Sequence, residues 1–270
     1  RSTPQALDNF GYRPLMEEYD VGEIDLNHIS HEKSFEIVTS KQSTQMVEYV
    51  DMQSLADTII SVPVAKTHDC AMVTLSVKNM MGCLRRVHRP RMHGLRVGGV
   101  TTRIGEWFWN TIEGHPLVVK SFSGVVFGVL KFLRSHDNGA PGHRSPGLLR
   151  QVAAMAENIR RMGKRLMPDI AVIDAFEAME GNGPGSAGTP VDMRIAVAGT
   201  DPVACDTVMA YLMGFDPMDV GYLTLLGESG LGTADLADIE ILGEDVESLR
   251  HAFQPHKNFP VQKRWREAWD

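Results

Sequence analysis

Apolar and polar residues recur with two different spacings along this chain, which predicts both helices and strands. The opening segment ALDNFGYRPLMEEY has apolar residues near helical spacing, and VGEIDLN then alternates as a strand does. Short strands are predicted at 34–39 and 46–50. The run from Thr58 to Val64 is nearly all β-branched or apolar. That composition is typical of a strand buried on both faces.

Strands and helices alternate again after residue 168. We predict strands at PDIAVIDAF and DMRIAVAGT, joined by the glycine-rich loop EGNGPGSAGTP. Asp201 and Pro202 suit the cap and first turn of a helix that should end at Gly214. After a further short helix, ADIEILGE is the last predicted strand. The alternation favours an α/β fold with a mostly parallel sheet and helices on both faces.

The middle of the chain is strongly basic, although the whole chain has a net charge of −7. Residues 85–165 hold 15 Lys and Arg against 4 Asp and Glu, a balance of +11. This charge either attracts an anionic partner or packs against the acidic remainder of the chain. No nucleic-acid-binding motif occurs, so we expect a small anionic ligand, with peripheral membrane or protein docking through residues 85–165 as a further use of the region.

Three regions follow from these patterns. We predict a first α/β part over 1–96, a basic, partly helical insertion over 97–167, and a second α/β part over 168–270, in one composite domain. The basic stretch should contain a loop at 85–100, a helix near 101–113, an apolar element at 121–133, a linker at 135–147 and an amphipathic helix with a basic face. Because the chain begins with Arg, we expect it to start inside a longer protein.

Composition argues against several classes of protein. Only three cysteines occur, without a CxxC pair, which does not support a disulfide framework or a Cys-ligated zinc or iron–sulfur site. Serine and cysteine triads are not expected, since GxSxG is missing and Cys70 has no recognisable activating neighbour. The chain shows no secretory signal and no apolar run of about 18 residues or more, so we expect a cytoplasmic protein.

Polar residues collect where the run at 58–64 ends, at Lys66, Thr67, His68 and Asp69 and again at Lys78 and Asn79. In open α/β sheets, ligands bind at the carboxyl ends of strands. We predict Lys66, His68 and Lys78 as catalytic residues, with His68 as acid or base and the lysines as nucleophile or charge clamp. Alternatively, Lys66 and His68 are solvated residues at a strand end. The apolar flanks of Lys78 indicate either functional burial or a side chain that extends to water.

The glycine-rich loop indicates a close approach of the backbone to a bound group. It matches neither the phosphate loop nor the dinucleotide fingerprint. Gly181, Asn182 and Gly183, together with Asn79, are the candidate cofactor-binding residues. Glu180 belongs to an acidic set that either complements the lysines and histidines or holds a metal; its other members are Asp174, Asp201 and Asp206.

The segment VPVAKTHDCAMVTLSVKNMMGC, followed by a Met-His pair, resembles the central signature of the domain of unknown function 362 family. IDAFEAMEGNGPGSAGTP and AVAGTDPVACDTVMAYLMGFDP resemble two later blocks of that family. The resemblance covers almost the whole chain except about 97–165. Some members carry ferredoxin-like cysteine motifs, which this chain lacks, and the family name implies no particular reaction.

The chain is more distantly similar to the nickel-pincer lactate racemase superfamily. There a histidine precedes a cofactor-tethering lysine by ten residues, and a metal-binding histidine follows the lysine; His68, Lys78 and His93 are spaced in a similar way. The similarity implies that His68 is the acid or base, Lys78 the tether or catalytic lysine and His93 a ligand of a divalent metal. The glycine-rich segment expected before the lysine is replaced by MVTLSV.

Two functions remain open at this point. The first is an enzyme that acts on a small anionic, carboxylate-bearing substrate. Its reaction would be isomerase-like, racemase-like or redox-associated, with an optional metal at His93 and Glu180. The second is a non-enzymatic cofactor- or metal-binding protein with a basic docking surface, linked to iron–sulfur or redox systems.

Overall fold

A computed structural model describes residues 3–95 and 146–269 of the chain, which begins with two short helices and a hairpin. The helices are α1 (Thr3–Asn9) and α2 (Tyr12–Glu18), and the antiparallel hairpin strands are β1 (Lys33–Val38) and β2 (Thr44–Tyr49). The predictions of an opening helical segment and of strands near 34–39 and 46–50 are therefore confirmed.

The predicted strand VGEIDLN is wrong, because residues 21–27 form no strand. Asp25 carries the physical reason, since its side chain accepts a hydrogen bond from the Asn27 backbone N–H at 2.9 Å. A short carboxylate that binds the backbone two residues later stabilises a turn in place of extended pairing.

A five-stranded sheet lies at the centre of the fold. Its strands are β3 (Ile60–Ser61), β4 (Val64–His68), β5 (Met72–Thr74), β6 (Ile170–Gly181) and β7 (Gly188–Gly199). β6 is the central strand and pairs in parallel with β3 and β4. β5 pairs antiparallel with β4, and β7 pairs antiparallel with β6. The predicted α/β fold with parallel strand pairing is confirmed.

The predicted strand at 58–64 differs from the structure in its burial. Pro63 separates β3 from β4, as expected for a residue without a backbone N–H. Ile60 and Val62 are 54% and 62% exposed, whereas Ser61 is buried. Successive side chains of a strand point to opposite faces, so this run buries one face and the prediction of two buried faces is wrong.

β6 and β7 form one long hairpin, with paired residues from Ala171 and Gly199 to Gly181 and Gly188. Both strands are longer than predicted, and the glycine-rich segment contributes to both of them. The connecting loop is therefore shorter than predicted and runs only from Asn182 to Ala187. This hairpin brings the glycine-rich segment beside β4, the strand that ends at His68.

The helices that surround the sheet are α3 (Ser76–Asn79), α4 (Pro146–Leu166), α5 (Pro202–Leu212), α6 (Gly221–Glu228), α7 (Val246–Leu249) and α8 (Phe259–Gln262). The α5 prediction is confirmed, because the Asp201 side chain accepts hydrogen bonds from the N–H groups of Val203 and Ala204. The last predicted strand, ADIEILGE, is wrong. Asp235 instead accepts a hydrogen bond from the Ala237 N–H at the start of a 3-10 turn, and Leu242 is 85% exposed.

The amphipathic helix predicted after residue 147 is confirmed as α4. Met155, Ile159 and Met162 are fully buried on its inner side. Its basic residues differ in their surroundings, since Arg160 and Arg161 both pair with Glu157 while Lys164 and Arg165 are exposed. The helix predicted near 101–113, the apolar element at 121–133 and nearly all of the 135–147 linker lie outside the described residues.

Candidate functional site

The turn between β4 and β5 is organised by His68, the last residue of β4. His68 is 3% exposed, and its Nδ1 accepts hydrogen bonds from the backbone N–H groups of Cys70 and Ala71, both at 3.1 Å. Nδ1 therefore carries no proton, and the proton of the neutral ring is on Nε2. Burial, followed by the charge of Lys78, lowers the pKa of His68 to about 4. His68 is thus a neutral ring that holds the turn together.

Asp69 and Cys70 lie on this turn. Asp69 Oδ1 is 3.0 Å from His68 Nδ1, a separation at which a protonated histidine would form an ion pair. Because Nδ1 already accepts two amide hydrogens, two acceptor atoms face each other here instead. Asp69 Oδ1 is buried and accepts no hydrogen bond from the described part of the chain. Burial also raises the pKa of the Cys70 thiol.

His93 joins this turn from the end of a 3-10 helix, Arg86–His93. Its ring stacks on that of His68, with centroids 5.5 Å apart and an angle of 26° between the planes. One potential ligand atom from each of Asp69, Cys70 and His93 lies within 4.8 Å of the other two. A thiol, an imidazole and a carboxylate at such separations are a donor set that suits a transition metal.

Two lysines lie near this group. Lys78, on α3, is only 7% exposed, and its Nζ forms no hydrogen bond or ion pair with any described residue. Burial and the charge of Lys66, opposed by Asp69, lower the pKa of Lys78 to about 8. Lys66 is half-buried on β4, where its Nζ donates to the Val64 carbonyl at 3.1 Å and burial lowers its pKa.

Asp206, on α5, fixes the helix that carries Lys78. Its fully buried carboxyl group accepts hydrogen bonds from the Ser76 N–H at 2.7 Å, the Val77 N–H at 3.2 Å and the Tyr222 hydroxyl at 3.2 Å. Burial raises the pKa of Asp206 to about 7. The Ser76 hydroxyl contacts both Asp206 Oδ1 and the Pro202 carbonyl, yet has one proton to donate. A protonated Asp206 that donates to Ser76 satisfies both contacts. The burial of Asp206 therefore does not require a bound ligand.

The glycine-rich loop packs against the same strand through Thr67. The Thr67 hydroxyl donates to the Gly181 carbonyl at 2.9 Å, and a Cβ on Gly183 would lie 2.5 Å from the Thr67 carbonyl oxygen. The side chains of Glu180 and Asn182 accept backbone hydrogen bonds from Gln254 and Lys257, at 2.7 and 3.2 Å. These groups organise the loop and the C-terminal segment.

The structure brings together four of the predicted residues, namely Lys66, His68, Lys78 and His93. Asn79 follows Lys78 on α3, but its side chain is exposed and donates to the Ser61 hydroxyl at 3.1 Å. Glu180 is not among the described residues that cluster with His93 as potential metal ligands. The functional roles of all these residues, and a cofactor on Lys78, stay predictions.

Sequence reasoning missed the part played by Asp69 and Cys70 and by the C-terminal segment. Asn258 Nδ2 donates to the Asp69 carbonyl at 3.0 Å, and Gln262 Nε2 donates to the His68 carbonyl at 2.6 Å. The adjacent aspartate and cysteine after the polar end of the strand were the signal that the sequence offered for these two residues. The contacts from Asn258 and Gln262 had no signal in the sequence, because nearly 200 residues separate these partners.

Comparison with known proteins gives a family without an assigned reaction. The family model described as "Domain of unknown function (DUF362)" matches residues 1–211, in agreement with the resemblance seen in the sequence. The thylakoid-associated protein sll1697 of Synechocystis sp. is 21% identical over 227 residues, which are 84% of this chain and 52% of that protein. The chain thus spans about half the length of this relative. No solved structure matches it.

Proposed function

The chain belongs to the DUF362 family, and from the geometry around Lys78 we propose that it is an enzyme that binds a small carboxylate-bearing substrate. The observation that carries this proposal is Lys78, whose side chain is only 7% exposed and whose ammonium group has no hydrogen-bond or ion-pair acceptor among the described residues. Removing an ammonium group from water is costly unless a counter-charge and hydrogen bonds replace the lost hydration. A bound carboxylate would supply both, and the nearby Lys66 would add a second positive charge.

The surrounding side chains suit a proton transfer at the carbon next to the carboxylate, as in an isomerase or racemase. His68 would donate a hydrogen bond from Nε2, because its Nδ1 is occupied by two backbone amides. A neutral imidazole in that role polarises a carbonyl or carboxylate without being a base. Lys78, in its ammonium form, would hold the carboxylate and act as a general acid, because burial lowers its pKa to about 8.

Calorimetric titration with oxalate, lactate and inorganic phosphate tests this function. We expect a carboxylate to bind the wild-type protein and Lys78→Met to weaken that binding at least tenfold, since a hydrogen bond to a charged group contributes about 1.5–3 kcal/mol. Lys164→Met, at an exposed lysine of α4, is the matched control and should bind normally. Equal affinities in the wild type and Lys78→Met, or no binding of either carboxylate, would contradict the proposal.

The second candidate function is a non-enzymatic binding protein that docks on an anionic membrane. The thylakoid association named for the relative favours it, and so do the exposed side chains of Arg150, Lys164 and Arg165 on α4. The helices of residues 3–95 and 146–269 include none that is long and apolar enough to span a bilayer, so such docking would be peripheral. Co-sedimentation with anionic vesicles and not with neutral ones would support docking, and reversal of the three charges should abolish it.

A further inference from the structure

We propose that Asp69, Cys70 and His93 bind a divalent transition metal of the zinc class, with one coordination position left for an external ligand. The potential ligand atoms of the three residues lie within 4.8 Å of one another. Ligands around tetrahedral zinc are about 3.5 Å apart, so small side-chain rotations would bring these atoms into place.

The ligand types select the class of metal. Thiolate and imidazole ligands favour zinc and its neighbours, whereas magnesium and calcium take oxygen ligands. The carboxylate of Asp69 and the thiolate of Cys70 would together neutralise a doubly charged ion. This site combines one carboxylate, one thiolate and one imidazole. The number of cysteines and the lack of a CxxC pair therefore give no indication of it.

An independent observation is the state of Asp69 Oδ1. This buried oxygen accepts no hydrogen bond from the described residues, and it faces an acceptor, His68 Nδ1, at 3.0 Å. Two acceptors in contact repel each other, and a buried polar atom without a hydrogen-bond donor is unfavourable. A cation bound by Asp69 Oδ1 would remove both penalties.

Neighbouring groups hold the three ligands in place. The amide bonds to His68 Nδ1 fix the turn on which Asp69 and Cys70 lie, and the stacked His68 ring orients His93. Asn258 adds a hydrogen bond to the Asp69 carbonyl from the far end of the chain. Such supporting contacts are typical of metal sites, because they fix ligand orientation before the ion binds.

The metal site does not depend on the proposed function, although the two are compatible. Three protein ligands with an open position are typical of catalytic zinc sites, and a substrate carboxylate could occupy the position close to Lys78. If the metal site fails, oxalate binding through Lys78 can still be measured in chelator-treated protein. If the proposed function fails, metal binding can still be measured without any carboxylate.

The test is to strip the full chain with a chelator, dialyse it against zinc or cobalt, and measure bound metal. We expect about one ion per chain and, with cobalt, the absorption of a thiolate-to-metal charge transfer. His93→Ala and Cys70→Ser should each weaken binding at least tenfold, and Cys70→Ser should abolish that absorption. Cys83→Ser is the matched control, because Cys83 is also a buried free thiol but lies outside the ligand group.

The proposal is overturned if wild-type protein holds no more zinc or cobalt than the His93→Ala, Cys70→Ser double variant does. Circular dichroism establishes that each variant is folded. If a substitution at the buried Cys70 disrupts the fold, Asp69→Asn decides the question, because it keeps the shape of the side chain and removes the charge that the metal requires. Unchanged affinity in Asp69→Asn would count against the site.

Discussion

His68 and His93 are 25 residues apart in the sequence, and their rings stack with centroids 5.5 Å apart. The contact joins the end of β4 to the end of the 3-10 helix, which comes from the basic region of the chain. His68 holds the turn through its Nδ1, whereas His93 presents a nitrogen to Asp69 and Cys70. The two stacked rings therefore differ in their contacts: the His68 ring supports the turn, and the His93 ring lies beside Asp69 and Cys70.

His68 should be required for the turn at Asp69 and Cys70. His68→Ala leaves the N–H groups of Cys70 and Ala71 without their acceptor, so we expect the free energy of unfolding to fall by about 2–4 kcal/mol. His68→Asn should recover part of that loss, because its side-chain oxygen can accept the same amide hydrogens. Urea denaturation measures both values, and equal stabilities for the alanine and asparagine variants would show that the Nδ1 contacts contribute nothing.

Lys78 should lower the stability of the ligand-free protein and raise the stability of the complex with a carboxylate. We expect Lys78→Met to unfold at equal or higher urea concentration than the wild type. The substitution removes an ammonium group on a side chain that is only 7% exposed and that forms no hydrogen bond or ion pair with the described residues. The gain should be about 1–2 kcal/mol and should disappear when carboxylate is added to the wild type. A loss of stability in ligand-free Lys78→Met, with Lys164→Met unchanged, would contradict this account.

Asp206 should make stability depend on pH. Its pKa is raised from 3.8 to about 7 in the folded state, so the folded protein keeps a proton that the unfolded chain loses. Its stabilising contribution is fully present below pH 3.8 and declines as the pH rises through about 7. The maximum slope is about 1.4 kcal/mol per pH unit. Asp206→Asn, which mimics the protonated acid, should remove this decline between pH 5 and 7 in buffered urea titrations. An unchanged slope would mean that Asp206 is ionised in the folded protein.

Gly94 should be essential for the position of His93. Its φ is 71°, and a Cβ there would lie 2.8 Å from Ala154 Cβ and 2.9 Å from the Ser40 backbone nitrogen. Gly94→Ala should therefore cost more than about 1 kcal/mol and weaken cobalt binding. Gly11 is a matched control, since its φ is 73° and a Cβ there would meet nothing within 4 Å. If Gly11→Ala loses as much stability as Gly94→Ala, the loss at Gly94 comes from backbone conformation alone. Crowding against Ala154 and Ser40 then contributes nothing.

The sequence indicated much of this arrangement, for reasons that can be traced to particular residues. Lys66 and His68 were found because polar residues end an apolar strand, and Lys78 because its flanks are apolar. His93 followed only from a family resemblance, since nothing in a local pattern shows which histidine stacks on His68. Asp69 and Cys70 act through the shape of a turn, and Gln262 reaches His68 from the other end of the chain. Tertiary contacts of this kind leave no periodic trace.

The most direct test of carboxylate binding at Lys78 is the NMR signal of its side chain, in protein with isotope-labelled lysines, during titration with oxalate. We expect the Lys78 signal to shift in proportion to occupancy while the signal of the exposed Lys164 stays in place. A Lys78 signal that does not move at saturating oxalate would contradict it.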